Sequence, residues 1–527
     1  MAIIGTLLKQ GIKLRKSIEQ ERKSPFALQK RQLLQLLTKA RGTSFGKMYD
    51  FEGIIHQIQT QPKASKQFFE YFTKKIPIFS YEKIYEEWWY RMRENEEANV
   101  TWAGKPRYFA LSSGTSSGST KYLPITADML KAIQRTSIRQ ILSLSDFTNI
   151  PAKTYSKGIL MLGGSTHLHQ KGTYFEGDLS GITTKQVPFW FQHFYKPGKR
   201  IAKATNWETK LQEITLKANR WDIGYLAGNP AWVQIMMERI IDHYKLKHIH
   251  EIWPNLTAYA YGGVSIEPYR KSFDKILGQP ITYIETYLAS EGFIAFQKKP
   301  EHHLSMVLNN GLFYEFIPFN ENNFNSDGEL VNNPETVMID DLEEGKNYAL
   351  LLSTCAGAWR YMIGDTIQLV NKKESEIIIT GRTKQFLSLC GEHLSIENMD
   401  KAIDLLANEL NTPITEYTVA GIPHENLFAH HWFIGIDTDI SEEVLSQKID
   451  GYLAKLNDDY RVERLAALKG VFITKIPSNL FYKWMEYKGK MGGQHKFPRV
   501  LKKAMYDEWL QFLKDNNISY DKHLQKH

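Results

Sequence analysis

The sequence predicts an α/β (α+β) chain in two parts: a large N-terminal mixed-sheet domain followed by a small, mobile C-terminal α+β domain. Three observations lead there. At 527 residues the chain is longer than one hydrophobic core normally supports, so two or more domains are expected. Between residues 101 and 380 short β-rich runs alternate with helical stretches, the texture of an α/β or mixed sheet. From about residue 384 the pattern starts again as a separate set of helices and strands. We therefore divide the chain into 1–383 and 384–527, with GRTKQFLSLCG at 381–391 as the hinge.

Residues 1–100 read mostly as helix. The opening MAIIGTLLKQGIKLRK holds too short an apolar run for a spanning helix or a signal-peptide core, and reads as an amphipathic first helix. In SPFALQKRQLLQLLTKA the apolar residues recur at three and four, with Ser24 placed as cap and Pro25 in the first turn. After residue 100, RYFALSS, KYLPIT, GILML, LTAYAYGG, ITYIETYLA, LFYEFIP, YALLLST and EIIIT read as strands, and NPAWVQIMMERIIDHYK as a helix among them. Beyond 384, SIENMDKAIDLLANEL reads as helix, EYTVAGI and HHWFIGID as strands, then a helix, then GVFITKI as a strand.

Composition narrows the class. Apolar and charged fractions of 42% and 24% are those of an ordinary folded protein. Two cysteines, Cys355 and Cys390, give neither a disulfide framework nor a four-thiolate zinc site, and point to a reducing, cytoplasmic setting. The formal charge of +8 is scattered, so neither a nucleic-acid partner nor membrane insertion is expected. His167-Leu-His169 places two imidazoles on one strand face with no third ligand spaced nearby, and reads as structural, as do His302-His303 and His430-His431. The aromatic string Phe189 to Tyr195 is either an acyl-pocket wall or core.

The most informative segment is LSSGTSSGSTK, Leu111 to Lys121. Gly114 and Gly118 let a backbone approach a polyphosphate, while Ser112, Ser113, Thr115 and Ser116 supply hydroxyl donors and Lys121 a point charge. Its spacing is not that of a Walker A loop. The runs on both sides read as strands, so it joins strand to strand and has no helix dipole to lean on. The other reading is a flexible serine-rich turn.

A Ser/Thr/Gly/Lys loop between two strands resembles the first motif of adenylate-forming ligases, and more closely that of the Gretchen Hagen acyl-acid amido synthetases, plant auxin- and jasmonate-conjugating enzymes and their bacterial relatives. Tyr287-Leu-Ala-Ser-Glu-Gly292 is similar to the family's Y-x-x-S-E-G, and Arg360-Tyr-Met-Ile-Gly-Asp365 to its R-Y-x-x-G-D. GLFYEFIP at 311–318, YGGVSIEPY at 261–269, GNPAWVQIMMERI at 228–240 and QHKFPRV at 494–500 also match, all in the family's order. Met362 stands where the plant enzymes usually carry arginine, and GRTKQFLSLCGEHLS looks more like the hinge of acyl-CoA ligases. The chain looks like a bacterial-type member.

The resemblance implies an adenylate-forming ligase fold that uses ATP and Mg²⁺ to convert a carboxylic acid to an acyl-adenylate and then passes the acyl group to an amine, an amino acid above all. Carboxylate attack on the α-phosphate is opposed by charge repulsion, so it needs a divalent metal and fixed cations. The resemblance assigns Glu291 to the metal, Asp365 to the ribose, and Arg382 to the ribose or phosphate edge. Tyr287 and the backbone of Gly263 to Ser265 fall beside the adenine, and Ser290 is counted among the ATP-binding residues. Lys496, with Lys490 in reserve, would be carried over the α-phosphate by the second domain, which swings between half-reactions. An α-amino group is partly neutral at cellular pH, so little base assistance is needed, and no G-x-S-x-G elbow appears. A kinase reading lacks H-R-D and D-F-G segments. An acyl-CoA ligase using a thiol acceptor and a basic, non-enzymatic binding protein are the other readings.

Overall fold

Apolar spacing and a capping serine make the first described helix. In Pro25–Ala40 the Ser24 side chain accepts the Ala27 N–H at 3.3 Å, leaving fewer orphan donors in the first turn. Leu33, Leu36, Leu37 and Ala40 form its buried face. Gln29 in the same stripe is 1% exposed, and its amide donates to Leu308 O and Leu312 O and accepts from Tyr314 N at 2.7–3.1 Å. A polar side chain there is tolerated because its hydrogen bonds are met by backbone.

The computed structural model describes residues 23–62, 65–113, 120–186, 192–263, 266–325, 328–383, 387, 394, 396–424, 427–457, 460–461, 464, 468–489 and 497–518. The expected amphipathic first helix, the centre of the Ser/Thr/Gly loop, most of the hinge and the segment holding Lys490 and Lys496 lie outside them.

Numbered along the chain, the strands are β1 (Tyr108–Ser113), β2 (Thr120–Ile125), β3 (Gly158–Leu162), β4 (His169–Lys171), β5 (Tyr174–Gly177), β6 (Tyr195–Lys196), β7 (Ile223–Gly228), β8 (Ala258–Gly262), β9 (Thr282–Ala289), β10 (Gly292–Gln297), β11 (Leu304–Met306), β12 (Leu312–Pro318), β13 (Asn347–Thr354), β14 (Tyr361–Asn371), β15 (Glu376–Arg382), β16 (Tyr417–His424), β17 (Leu427–Gly435), β18 (Leu468–Ile476) and β19 (Val500–Leu501). They form an 11-stranded sheet in the order β12-β13-β14-β15-β11-β10-β9-β8-β7-β3-β6, and two four-stranded sheets, β2-β1-β5-β4 and β18-β17-β16-β19. The large sheet is mixed. β3, β7, β8 and β9 are parallel, and the helix Pro230–Tyr244 supplies the crossover from β7 to β8. β9 to β11 and β12 to β14 run antiparallel.

The chain divides into two compact units. The first comprises Met1–Val264, Gly278–Phe319 and Pro334–Ile379, and the second comprises Ser265–Leu277, Asn320–Asn333 and Thr380–His527. In the first, Arg360 and Glu315, both from motif segments, are 4% and 1% exposed. Arg360 Nε lies 2.9 and 3.2 Å from the two Glu315 oxygens, and Nη1 donates to Thr73 O and Ile76 O at 2.9 and 2.6 Å. The arginine of R-Y-x-x-G-D therefore ties β12 and the start of β14 to the helix Gln67–Lys75, which is an architectural task.

In the second unit the pleat of β17 feeds two cores. Trp432 and Ile434 pack on one face with Leu445, Ile449 and Met399, and Ala429 and Phe433 on the other with Phe481, Trp484 and Trp509, as a period of two requires. Arg499, from the Q-x-K-x-P-R segment, donates to Glu416 Oε2 and Tyr417 O at 2.9 and 3.0 Å with its guanidinium 4.5 Å over the Tyr417 ring. Phe497 is 6% exposed and packs 4.8–5.0 Å from Phe481, Trp484 and Trp509. The residues just after Lys496 are thus pinned to a core.

Candidate active site

The β9–β10 hairpin makes the first wall. Ala289 pairs with Gly292, so Ser290 and Glu291 form a two-residue turn, both half-buried. Gly292 follows at φ 149°, a backbone conformation that favours glycine, and a Cβ there would stand 2.8 Å from Leu312 Cδ2. One extra residue on β10 shifts the register between Phe293 and Ala295 and sets Tyr287 opposite Ala295. Tyr287 is 6% exposed.

β14 carries a larger irregularity. Ala349 pairs with Thr366 and Leu351 with Met362, so Ile363, Gly364 and Asp365 face the single residue Leu350. Gly364 has φ 88°, the left-handed geometry that favours glycine. Such a bulge bends its strand and re-aims a side chain. Asp365 sits inside the strand on this bulge.

The two irregular strands meet. Tyr287 Oη donates to Asp365 Oδ2, joining Y-x-x-S-E-G to R-Y-x-x-G-D. β9 and β14 are four steps apart in sheet order, about 19 Å in a flat sheet, more than two side chains can span. The sheet must therefore curl, and the curl brings the motifs together.

The end of β8 joins them. Gly262 pairs with Thr286 in parallel register, which places Gly263 level with Tyr287. A Cβ on Gly262 would lie 2.5 Å from Thr286 O. Gly263 itself has φ 83°. Thr286 Oγ1 accepts from Gln140 Nε2 at 2.6 Å, which fixes β9 against the helix Ala127–Ser143.

β1 and β2 pair from Tyr108↔Ile125 to Ser113↔Thr120, so the Ser/Thr/Gly loop does join strand to strand. Ser112 stands opposite Lys121, and Lys121 Nζ lies 5.4 Å over the Tyr81 ring. Tyr81 Oη accepts the Tyr122 N–H at 2.8 Å, and burial pushes its phenol up to about 12. Beneath, the Arg93 guanidinium lies 3.6 Å over the Tyr122 ring, donating to Glu176 Oε1 at 2.8 Å and Tyr85 Oη at 3.0 Å. Met362 N donates to Phe79 O at 2.9 Å, so the Phe79–Tyr81 segment bridges β14 and the loop's hairpin. Sequence reasoning missed Tyr81 and Arg93, whose local signal is an aromatic and charged helical stretch with Tyr81 at its start and Arg93 at its end.

Of the other expected residues, Arg382 is the half-buried last residue of β15, in the second unit. Gly114, Thr115, Ser116, Gly118, Ser265 and Lys496 lie outside the described residues, and Ser113 ends β1. His167 and His169 are exposed, with ring centroids 6.0 Å apart. His302 Nδ1 meets Glu376 Oε1 at 2.7 Å, and His431 bonds Tyr506 and Thr474 at 2.7 and 2.8 Å. Among the described residues no group of three or more His, Cys, Asp or Glu could hold a metal. Mg²⁺ accompanying a polyphosphate needs only one or two protein carboxylates, and Glu291 offers a half-buried hard oxygen donor beside the site.

A curled mixed sheet with a hydroxyl- and glycine-rich hairpin loop beside it is the fold of the adenylate-forming ligases. A solved GH3.15 acyl acid amido synthetase has a TM-score of 0.73 at 14% identity over 93% of both chains. A 2-hydroxyisobutyryl-CoA ligase in its postadenylation state has a TM-score of 0.56 at 10% identity over 92% of this chain and 91% of that one. At those identities the likeness is one of fold. Three family models match the chain: the GH3 family N-terminal domain at 14–218, the central domain at 305–378 and the C-terminal domain at 397–505. The chain belongs to the GH3 family, as its motifs implied. Among curated relatives, indole-3-acetic acid-amido synthetase GH3.2 of Arabidopsis thaliana is 22% identical over 88% of this chain and 95% of its own length. Jasmonoyl–L-amino acid synthetase JAR4 of Nicotiana attenuata is 28% identical over 38% of this chain and 35% of its own.

Proposed function

We propose that this protein is an ATP-dependent acyl-acid amido synthetase: it adenylates a carboxylic acid, releasing pyrophosphate, and transfers the acyl group to an amine, an amino acid. The observation that carries the reading is the Tyr287–Asp365 hydrogen bond, which unites two family motifs in a curled sheet. Asp365 accepts from the ribose hydroxyls, as acidic residues do in dinucleotide folds, Tyr287 flanks the adenine with the backbone of Gly263 to Ser265, and Ser290 contributes to ATP binding. Arg382 serves the ribose or phosphate edge.

The loop from Ser112 to Gly118, with Lys121, holds the phosphates through hydroxyl and backbone donors. Tyr81 beneath the Lys121 ammonium supplies a π face that steadies the cation. Glu291 would hold Mg²⁺, which when bound neutralises phosphate charge. Lys496, from the 384–527 domain, offsets charge near the α-phosphate or acyl carbonyl when that domain is closed over 1–383. No triad is required, because the amine acceptor is partly neutral at cellular pH. No described helix is long and apolar enough to cross a membrane, and two cysteines fit a cytoplasmic setting.

The test is ATP-dependent pyrophosphate release with pooled carboxylic acids, alone, with pooled amino acids, and with coenzyme A, on the intact chain and on Glu291→Ala. Release that requires an acid, rises with amino acids and is lost in the variant is the expected result. A rise with coenzyme A alone would make the protein a thioester-forming ligase. Silence with every acid, in a folded ATP-binding protein, would sink the adenylation reading.

A further inference from the structure

Away from the nucleotide residues, a groove of about 240 Å³ runs between the helices Pro25–Ala40 and Ala127–Ser143, with Asn310 and Gly311 at its floor. Its walls are cationic. Lys131 and Arg135 project from one face of the second helix, four residues apart, and Lys39 faces them from the last turn of the first. Asp128 is the one carboxylate among the described lining residues. It is already engaged, accepting from Trp102 Nε1 at 3.0 Å and lying 4.0 Å from Lys39 Nζ. Lys131 and Arg135 stand side by side without a carboxylate partner among the described residues, an arrangement that costs a helix a few tenths of a kcal/mol.

The floor is built rather than incidental. Gln32 is 4% exposed, and its carbonyl oxygen accepts the Gly311 N–H at 3.0 Å. That bond fixes the carboxamide and leaves its amide nitrogen with no acceptor among the described residues. Asn310, also 4% exposed, is locked by donating to Ala132 O and Thr136 Oγ1 at 2.5 Å. The Gln32 carboxamide, oriented by Gly311, thus lines a groove walled by two cations that have no carboxylate partner among the described residues.

We propose that this groove binds a compact phosphoanion of pyrophosphate size. Arg135 offers a planar fork and Lys131 a point charge, the pair of donors suited to phosphoryl oxygens, and Gln32 adds a neutral donor at the bottom. The volume, about 240 Å³, falls below the 300–1,000 Å³ usual for drug-sized ligands and suits a compact anion. The site is distinct from the residues proposed for ATP, and its existence does not depend on that reading.

The test is calorimetric titration of the full-length protein with sodium pyrophosphate, in EDTA and with saturating α,β-methylene-ATP to fill the nucleotide site. The wild type is expected to bind about one equivalent. Lys131→Gln/Arg135→Gln, changes at exposed positions, should weaken binding about ten-fold or more, because two charge-assisted bonds are lost. Gln32→Leu should weaken it while keeping every charge, and Lys131→Arg/Arg135→Lys should retain it. No binding by the wild type under these conditions overturns the proposal. So does binding that the Lys131/Arg135 double variant leaves unchanged, or that Gln32→Leu leaves unchanged in a protein with wild-type thermal stability.

Discussion

Arg360→Met removes one half of the most deeply buried ion pair among the described residues of the first unit. Glu315 is left 1% exposed with its carboxylate uncompensated, and Thr73 O and Ile76 O lose the donor they shared. Breaking a buried pair on one side typically costs about 3–5 kcal/mol. The first unit has about 350 residues, which at about 2.1 cal/mol/K per residue gives an unfolding entropy near 0.7 kcal/mol/K. The expected fall in melting temperature is therefore about 4–7 °C. Glu315→Leu/Arg360→Met removes both charges and should recover more than half of it, since apolar replacement of a whole buried pair is often neutral.

The pH dependence follows from the same residues. Burial raises the Glu315 carboxyl above its usual range, with Arg360 opposing the shift, so loss of Arg360 raises it further. A carboxyl whose folded value exceeds its unfolded value contributes most below the unfolded value and loses that contribution as pH rises through the folded one. The Arg360→Met deficit should hence be largest at neutral pH and shrink on acidification towards pH 5. Differential scanning calorimetry of the three proteins at pH 7.5 and 5.5 checks both points. A single variant within about 1 °C of wild type, or a double variant no better than Arg360→Met alone, would refute the reasoning.

Two further perturbations probe the site and its surroundings. Tyr287→Phe deletes the donor to Asp365 and, as a charge-assisted bond of about 1.5–3 kcal/mol, should raise the KM for ATP about ten-fold or more while lowering the melting temperature by at most about 2–4 °C; a KM within two-fold of wild type would remove any positioning role. Lys210 is 3% exposed, donates to Gly163 O at 3.0 Å and is lowered to about 8 by burial. Its folded value lies below its unfolded 10.5, so its contribution is fully present above that unfolded value and is lost as pH falls towards 8. The melting temperature of wild type relative to Lys210→Met should accordingly rise between pH 8 and 10 and stay flat below 8, and parallel curves across that range would rule this out.

The sequence by itself determined what depends on neighbours a few residues apart. Ser24 and the three-and-four spacing of Leu33, Leu36, Leu37 and Ala40 specified a helix, and runs such as YFALSS and ITYIETYLA specified strands, because both are set by local torsions and by which side chains share a face. The strand-to-strand setting of the Ser/Thr/Gly loop was legible for the same reason, and ordered motifs were enough to place the family. Only the tertiary structure decided that Tyr287 meets Asp365, since that meeting requires strands four steps apart in one sheet to curl towards each other and a bulge to turn Asp365 inward. It also decided that Arg360 of R-Y-x-x-G-D serves Glu315 and two backbone carbonyls, and that Arg93 and Tyr81 support the Lys121 hairpin. Strand order, bulges and buried charge pairing are fixed by partners tens to hundreds of residues away, and a periodicity read along the chain carries no record of them.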